Sequence, residues 1–131
     1  MQDIENINEF IELISNDFPM YKDQLHEYAS GIRHNFDYPN FISGTGFQKK
    51  VWITIFEIEY GKTKSYKEIA KSLNCEKAVR AVANACGKNP LPLVIPCHRV
   101  VGSNGKIGGY KYGINLKQQL LKFEQKFLSN Q

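Results

Sequence analysis

The sequence predicts a mostly α fold with a small β component. Apolar residues recur at helical spacing in several separate segments, and a tight turn joins two of these segments. One short apolar run, residues 91–95, has the β-branched composition of a buried strand and is followed by a Gly/Asn turn. A chain of 131 residues has the length of one domain and can bury a hydrophobic core.

The composition excludes several classes of protein. Apolar residues make up 42% of the chain, and no run approaches the ~18 apolar residues of a membrane span. The first residues lack the basic region of a secretory signal, so we expect a cytoplasmic protein without a membrane partner. The three cysteines, Cys75, Cys86 and Cys97, form no close pair, which argues against a disulfide framework and against a metal site.

Charge divides the chain into two parts. Residues 1–44 hold eight acidic and two basic side chains, a net charge of −6, whereas residues 45–131 have a net charge of +10. Cys97 lies in the basic part. Clustered basic side chains are typical of polyanion binding, although scattered lysines are also common on solvated surfaces.

Two amphipathic helices are predicted in the amino-terminal segment. The first covers residues 6–18, and the second begins near Pro19 and is interrupted by Gly31. We interpret both as a cover for the core, and residues 37–46 as a linker. The apolar stripes consist of Ile7, Phe10, Ile11 and Ile14 in the first helix and of Tyr21, Leu25, Tyr28 and Ile32 in the second.

Three further helices are predicted in the middle of the chain. The first starts at Phe47, and the second starts at a capping box formed by Ser65 and Glu68. Asn74 tolerates the left-handed conformation of a tight turn, after which a third helix covers residues 76–86. Helix, tight turn and helix make a helix-turn-helix, in which the second helix of the pair is the recognition helix.

The predicted recognition helix carries almost no long polar side chains that could read base edges. It is rich in alanine and valine, and Arg80 stands nearly alone. Such a surface suits close approach to the shallow minor groove better than readout of the major groove. The same alanines also fit simple packing against a neighbouring helix.

Cys97 and His98 follow the apolar run and are the candidate nucleophile and base. A buried strand at residues 91–95 would deliver Cys97 to the end of a packed element. Thiolate is the nucleophilic form of cysteine, and a neighbouring imidazole can accept the proton. Adjacent side chains on an extended backbone face opposite ways, so we expect a water molecule to bridge them. A buried thiol can also be purely structural.

The last predicted helix covers residues 113–128. Leu116, Leu120 and Phe123 lie at helical spacing, and Glu124 lies within the same helix. A glutamate on a helix is usually a solvated surface charge. From its position in the helix alone, Glu124 would therefore be interpreted as a surface charge without a catalytic role.

Several ordered motifs resemble one protein family. They are Thr45-Gly46-Phe47-Gln48, Ser65-Tyr66, Arg80-Ala81-Val82, Pro96-Cys97-His98-Arg99-Val100 and Gly108-Gly109-Tyr110. In this order, over residues 45 to 124, they resemble the O6-alkylguanine-DNA alkyltransferases, also called methylated-DNA–protein-cysteine methyltransferases. Members of that family normally carry a longer, partly β amino-terminal domain, so residues 1–44 depart from the pattern.

The resemblance implies DNA repair by one irreversible transfer of an alkyl group from O6-alkylguanine to Cys97. The implied organisation is an abbreviated helical amino-terminal segment at 1–44, followed at 45–131 by the active-site domain, a winged helix-turn-helix. The expected partner is double-stranded DNA that contains O6-alkylguanine, with the target nucleotide flipped out and Arg80 in the space that it leaves. We expect a monomer that needs no cofactor and no metal.

The resemblance also implies roles for individual residues. Cys97 would be the acceptor, His98 would accept its proton through water, Glu124 would orient the imidazole, and Asn89 would bridge the recognition helix and the active-site turn. Substrate-binding roles are implied for Tyr66, Val100, Tyr110 and Lys111. DNA-binding roles are implied for Tyr66, Lys67, Lys77, Ala78, Arg80 and Ser103.

Other classes of protein predict different outcomes for Cys97. A winged-helix DNA binder, with residues 103–109 as its wing, or an alkyltransferase-like protein without transfer activity would bind DNA and leave the thiol unchanged. A cysteine hydrolase that uses Cys97 and His98 would turn over an ester or an amide. The repair protein would gain one alkyl group per chain.

Overall fold

The structure, a computed structural model, describes residues 4–129. Within that range it contains six α-helices, one small sheet and two single turns of 3-10 helix, and the predicted fold class is confirmed. The helices are α1 (Ile7–Asp17), α2 (Lys22–Ala29), α3 (Gly46–Phe56), α4 (Tyr66–Ser72), α5 (Val79–Gly87) and α6 (Ile114–Lys126), the strands are β1 (Lys64–Ser65) and β2 (Val100–Val101), and the 3-10 turns are Pro19–Tyr21 and Cys97–Arg99.

The amino-terminal segment folds as two short helices that pack on each other. Asn6 caps α1, because its side-chain oxygen accepts a hydrogen bond of 2.8 Å from the Glu9 amide. α2 ends at Ala29, and Gly31 follows with a φ of 86°, which glycine adopts without strain. The prediction that Ile32 continues the apolar stripe is wrong, since Ile32 lies beyond the helix and is 65% exposed.

α3 joins the core to the carboxyl end of α5. Thr45 and Gln48 form a capping box at the start of α3. Trp52 is buried, and its indole Nε1 donates a hydrogen bond of 2.9 Å to the carbonyl of Ala85 in α5. This bond fixes the end of α5 and therefore positions the segment that follows it.

α4 and α5 pack together as a helix-turn-helix. The predicted capping box is present, since Ser65 Oγ accepts a hydrogen bond from the Glu68 amide and the Glu68 carboxylate accepts one from the Ser65 amide. Asn74 has the predicted left-handed conformation, with a φ of 57°. These local rules account for the start and the end of α4.

The recognition helix begins later than predicted. α5 starts at Val79 rather than at Glu76, so Lys77 precedes the helix. The amide of Ala78 donates a hydrogen bond of 2.8 Å to the carbonyl of Cys75, which closes an extra turn before the helix can start. The predicted start at residue 76 is therefore wrong by three residues.

The apolar run at residues 91–95 is buried as predicted, but the strand prediction is wrong. Pro92 and Pro96 have no amide hydrogen to donate to a sheet, and Leu93 has a φ of 75°. The Asn89 side chain takes the place of a neighbouring strand, because it bonds the backbone at both ends of the run, at 2.9 and 2.7 Å. The run is therefore a buried turn.

Cys97 lies in the single 3-10 turn that follows this run and leads directly into β2. β2 pairs in parallel with β1, with Ser65 opposite Val101. Because β1 leads straight into α4, the small sheet joins the turn that carries Cys97 to the start of the helix-turn-helix.

α6 packs against the turn that carries Cys97 and completes the core. Leu116 and Leu120 are buried, and so is Glu124, which therefore lies among the core residues of α6 rather than on its solvated face. Residues 103–109, the wing of the DNA-binder alternative, form a loop between β2 and α6. Among residues 4–129, no helix is long and apolar enough to cross a membrane.

Candidate active site

Cys97 lines a cavity of about 340 Å³ between α5 and the loop that precedes α6. The cysteine is 7% exposed, so its thiol is reached through the cavity. Ala83 and Cys86 of α5 contribute small side chains to the wall, and Tyr66 and Tyr110 contribute aromatic rings. A mostly apolar wall with a few polar groups is typical of a site that binds a small molecule or a group of similar size.

Asn89 holds the Cys97 sulfur in place, since its Nδ2 donates a hydrogen bond of 3.2 Å to Sγ. A hydrogen bond with the neighbouring Cys86 thiol, together with burial, raises the pKa of Cys97 well above its usual value, while Asn89 and Lys117 act in the opposite direction. The resting side chain is therefore a protonated thiol. A base must take the proton before the sulfur can act as a nucleophile.

His98 is fully buried and is bonded to the helix α6 through its Nε2 atom, which lies 2.6 Å from Glu124 Oε2. A carboxylate can only accept, so Nε2 carries the hydrogen and Nδ1 is left as an acceptor. Nδ1 has no hydrogen-bond partner in the part of the protein that the structure describes. Burial lowers the pKa of His98 despite the attraction of Glu124, so the ring is a neutral base.

Glu124 accepts hydrogen bonds from four residues. Besides His98, Arg99 donates to both carboxylate oxygens at 2.8 and 3.0 Å, the Tyr28 hydroxyl donates at 2.7 Å and the Gly61 amide at 3.2 Å. Burial alone would raise the pKa of Glu124, but His98 and Arg99 outweigh it and hold the pKa well below its usual range. Glu124 is therefore an ionised, fixed orienting group.

Sequence reasoning missed the side chains of Arg99 and Tyr28 as partners of Glu124, and also the Gly61 amide. Arg99 directly follows the Cys-His pair, and its position in that motif was a signal that could have found it. Tyr28 lies 96 residues away from Glu124 along the chain, and its hydroxyl had no local signal. The amino-terminal segment was predicted to cover the core without taking part in the site.

Lys117 is a further buried group that sequence reasoning missed. Its Nζ donates hydrogen bonds of 2.6 Å to the Val100 carbonyl and 2.9 Å to the Gly109 carbonyl, which join β2 to the loop that lines the cavity. Burial lowers the pKa of Lys117 to about 8. The signal was its position three residues before Leu120 and seven before Glu124, on the same face of α6.

The structure brings three of the four candidate substrate-binding residues to the cavity. Tyr66, Tyr110 and Lys111 line its wall. Val100 is fully buried and does not line the cavity, and its carbonyl is bonded to Lys117. Burial raises the pKa of Tyr66 to about 12, so its hydroxyl stays protonated and can donate a hydrogen bond.

The candidate DNA-binding residues lie mainly around the helix-turn-helix. Lys67 on α4, Lys77 before α5 and Arg80 on α5 are exposed, and Ala78 is half-buried. Ser103 is exposed in the loop after β2, where it borders a separate cavity. Among residues 4–129, no cluster of His, Cys, Asp and Glu side chains could hold a metal ion.

Comparison with known proteins identifies the family. The family model described as 6-O-methylguanine DNA methyltransferase, DNA binding domain, matches residues 46–126. A probable methylated-DNA–protein-cysteine methyltransferase of Acanthamoeba polyphaga mimivirus is 50% identical over 103 residues, which are 78% of this chain and 68% of the relative. A methylated-DNA–protein-cysteine methyltransferase of Methanosarcina barkeri is 49% identical over 102 residues, 78% of this chain and 65% of the relative.

A solved structure agrees with these relatives. The crystal structure of Mycobacterium tuberculosis OGT in complex with DNA matches with a TM-score of 0.80 and 44% identity, and the match covers 84% of this chain and 68% of that one. The chain thus spans about two thirds of the length of the relatives that it matches. The family model, the sequence identity and the fold together show that the chain belongs to the 6-O-methylguanine DNA methyltransferase family.

Proposed function

We propose that this chain repairs DNA by transferring an alkyl group from the O6 atom of guanine to Cys97. The observation that carries the proposal is the cavity in which the Cys97 thiol, the Asn89 amide and the rings of Tyr66 and Tyr110 meet. The relatives' names, which describe transfer from methylated DNA to a protein cysteine, support it. A thioether is stable, so each chain would react once.

The proton of the thiol would leave through His98. The free acceptor atom of the ring, Nδ1, would take it from Cys97 through a bridging water molecule. Glu124, bonded to the opposite nitrogen, would stabilise the imidazolium that forms, as the third member of a triad does. Because Nδ1 would accept the proton and Glu124 would only stabilise the resulting imidazolium, the thiolate would be generated only when the reaction begins.

The transfer itself would be a displacement at the alkyl carbon. The Cys97 sulfur forms a bond to that carbon while the bond between the carbon and guanine O6 breaks, and the electron pair leaves with guanine. Asn89 holds the sulfur, and Lys117 fixes β2 to the loop that lines the cavity. No cofactor takes part in this step.

Double-stranded DNA would bind at the helix-turn-helix. The target nucleotide must be flipped out, because its O6 atom is inside the base stack. The exposed Lys67 and Lys77 would contact phosphates, and Arg80 would occupy the space left in the duplex. All groups of the proposed reaction come from one chain, so we propose that the protein acts as a monomer.

Peptide mass mapping tests the proposal after incubation with duplex DNA that contains O6-methylguanine. We expect the mass of one methyl group on the peptide that carries Cys97. Cys97→Ser should gain no methyl group and should still bind the duplex, whereas Cys75→Ser, which changes a cysteine outside the cavity, should react like the wild type. A methyl group on Cys75 or Cys86 would overturn the assignment of the acceptor.

A second candidate function is binding of O6-alkylguanine in DNA without transfer. The raised pKa of Cys97 favours it, because a protonated thiol is a poor nucleophile. In that case the wild-type protein would bind the modified duplex more tightly than the unmodified one and would show no change in mass.

A further inference from the structure

The Tyr28 hydroxyl reaches the buried carboxylate of the site from the amino-terminal segment. Tyr28 is fully buried in α2, and its hydroxyl donates a hydrogen bond of 2.7 Å to Glu124 Oε2. The same oxygen lies 2.6 Å from His98 Nε2 and 3.0 Å from an Arg99 nitrogen. Tyr28 and His98 therefore share one acceptor atom at nearly equal distances.

We propose that Tyr28 is a positioning residue of the reaction, whose hydroxyl bond to Glu124 sets how strongly that carboxylate holds the imidazole of His98. This inference rests on the proposed alkyl transfer. The family model begins at residue 46, so it does not contain Tyr28. The short acidic segment thereby completes the acid–base machinery of the domain that follows it.

Tyr28 can affect His98 because one carboxylate oxygen has a limited negative charge, which its hydrogen-bond donors share. Each donor that bonds Oε2 withdraws negative charge from it, so the Tyr28 bond weakens the stabilisation of a protonated His98. His98 is then kept neutral at rest and ready to accept a proton. Without the Tyr28 hydroxyl, Glu124 would favour the imidazolium more strongly.

Among the groups around His98, Tyr28 can be changed without removing a charge or a bond to the backbone. Arg99 supplies the positive charge that compensates Glu124, and Lys117 on α6 is bonded to backbone carbonyls. Tyr28 instead is a neutral donor at the edge of the cluster. The titratable and charged groups that face this cluster are Glu124 and Lys117 on α6, Arg99 and Cys97 beside His98, Tyr28 on α2, Tyr60 after α3 and Tyr110 before α6.

Packing fixes the Tyr28 ring and so holds its hydroxyl in the direction of Glu124. The ring stacks on Phe123 of α6 with 5.6 Å between centroids, and it meets Tyr60 edge-on at 6.0 Å. Phe36 contacts it on another side at 5.9 Å. Removal of the hydroxyl alone keeps these contacts, which makes Tyr28→Phe a suitable test.

The test measures the ring nitrogens of His98 by ¹⁵N NMR across a pH titration, together with the pH profile of methyl transfer. Tyr28→Phe should raise the pKa of His98 and should move the acid limb of the transfer profile to higher pH. Tyr21→Phe is the matched control, because Tyr21 donates its hydroxyl bond to the Asp37 carbonyl, away from Glu124. In Tyr21→Phe, the His98 titration and the pH profile of methyl transfer should match those of the wild type.

A second variant keeps the hydroxyl and reverses the effect. Replacing Tyr28 with 3-fluorotyrosine makes the phenol a stronger donor, so the pKa of His98 should fall and the acid limb should move to lower pH. An unchanged His98 titration in both variants would overturn the proposal. A wild-type protein that transfers no methyl group would refute the proposed function instead, and the NMR titration would still decide the role of Tyr28.

Discussion

At the scale of single residues, the site keeps each reacting group in its neutral form until it is needed. The pKa of Cys97 is raised by Cys86 and by burial, and the pKa of His98 is lowered by burial, so both are uncharged at rest. Glu124 and Arg99 supply a compensated pair of opposite charges behind them. A thiolate is therefore expected only when a substrate in the cavity can consume it.

Acid should destabilise the protein through His98. Its pKa is about 6.5 in the unfolded chain and lower in the folded one, so at intermediate pH the unfolded state binds more protons. Stability should therefore rise with pH up to about 6.5, and this contribution should be constant above that value. Urea denaturation at a series of pH values measures it.

A variant without the imidazole distinguishes the contribution of His98 from the rest of the loss of stability in acid. His98→Gln should therefore flatten the stability curve below about pH 6.5 relative to the wild type. Glu124 adds a second loss at lower pH, because its stabilising charge disappears only as the pH falls through its depressed folded pKa. A His98→Gln curve as steep as that of the wild type between about pH 5 and pH 6.5 would contradict the account.

At the scale of elements, the start of α4 links the sheet to the helix-turn-helix. Ser65 ends β1, pairs with Val101 of β2 and caps the helix whose first residue is Tyr66. The cap therefore fixes both the direction of α4 and the position of an aromatic ring on the cavity wall.

Ser65→Ala should lower the free energy of unfolding by about 1 kcal/mol, because it leaves an amide of the first turn without its acceptor. Urea denaturation measures the loss. The control is Ser43→Ala, in the exposed linker, which should change stability by less than about 0.5 kcal/mol. A loss of equal size in both variants would contradict the capping role.

Arg80→Ala should slow transfer from duplex DNA more than it weakens DNA binding, because Arg80 is proposed to hold the duplex open after the nucleotide has flipped. Transfer from free O6-benzylguanine needs no flipping and should be nearly unchanged. Lys88→Ala removes an exposed cation at the other end of α5 and serves as the control. An equal loss with both substrates in Arg80→Ala would contradict the intercalation role.

Elements governed by local rules could be predicted from the sequence, and those governed by side-chain contacts could not. The Ser65–Glu68 capping box and the Asn74 turn follow from neighbouring residues alone, and both predictions are confirmed. The run at residues 91–95 has the composition of a strand, but Asn89 satisfies its backbone and no partner strand is needed. Composition does not reveal such a replacement.

At the scale of the whole molecule, the site joins parts of the chain that are distant in sequence. Glu124 in α6 is bonded to His98 in the active-site turn and to Tyr28 in α2. The resemblance of the motifs to a known family predicted the first contact. It could not predict the second, because Tyr28 lies outside those motifs and its contact depends on how the amino-terminal segment packs.

The charge asymmetry of the chain fits this division. The acidic segment at residues 1–44 supplies a buried positioning group, whereas the basic remainder carries the exposed Lys67, Lys77 and Arg80 around the helix-turn-helix. Repulsion by phosphates would keep the acidic surface away from DNA. The two parts therefore have separate proposed tasks, support of the reaction centre and contact with the duplex.

The number of methyl groups transferred per chain tests the central claim most directly. Duplex DNA with a labelled O6-methylguanine is supplied in excess, and the label bound to protein is counted over time together with the repaired guanine. We predict that both rise to one per chain and then stop, because Cys97 is consumed. Repair that continues beyond one guanine per chain, or a protein that binds the duplex and gains no label, would contradict the account.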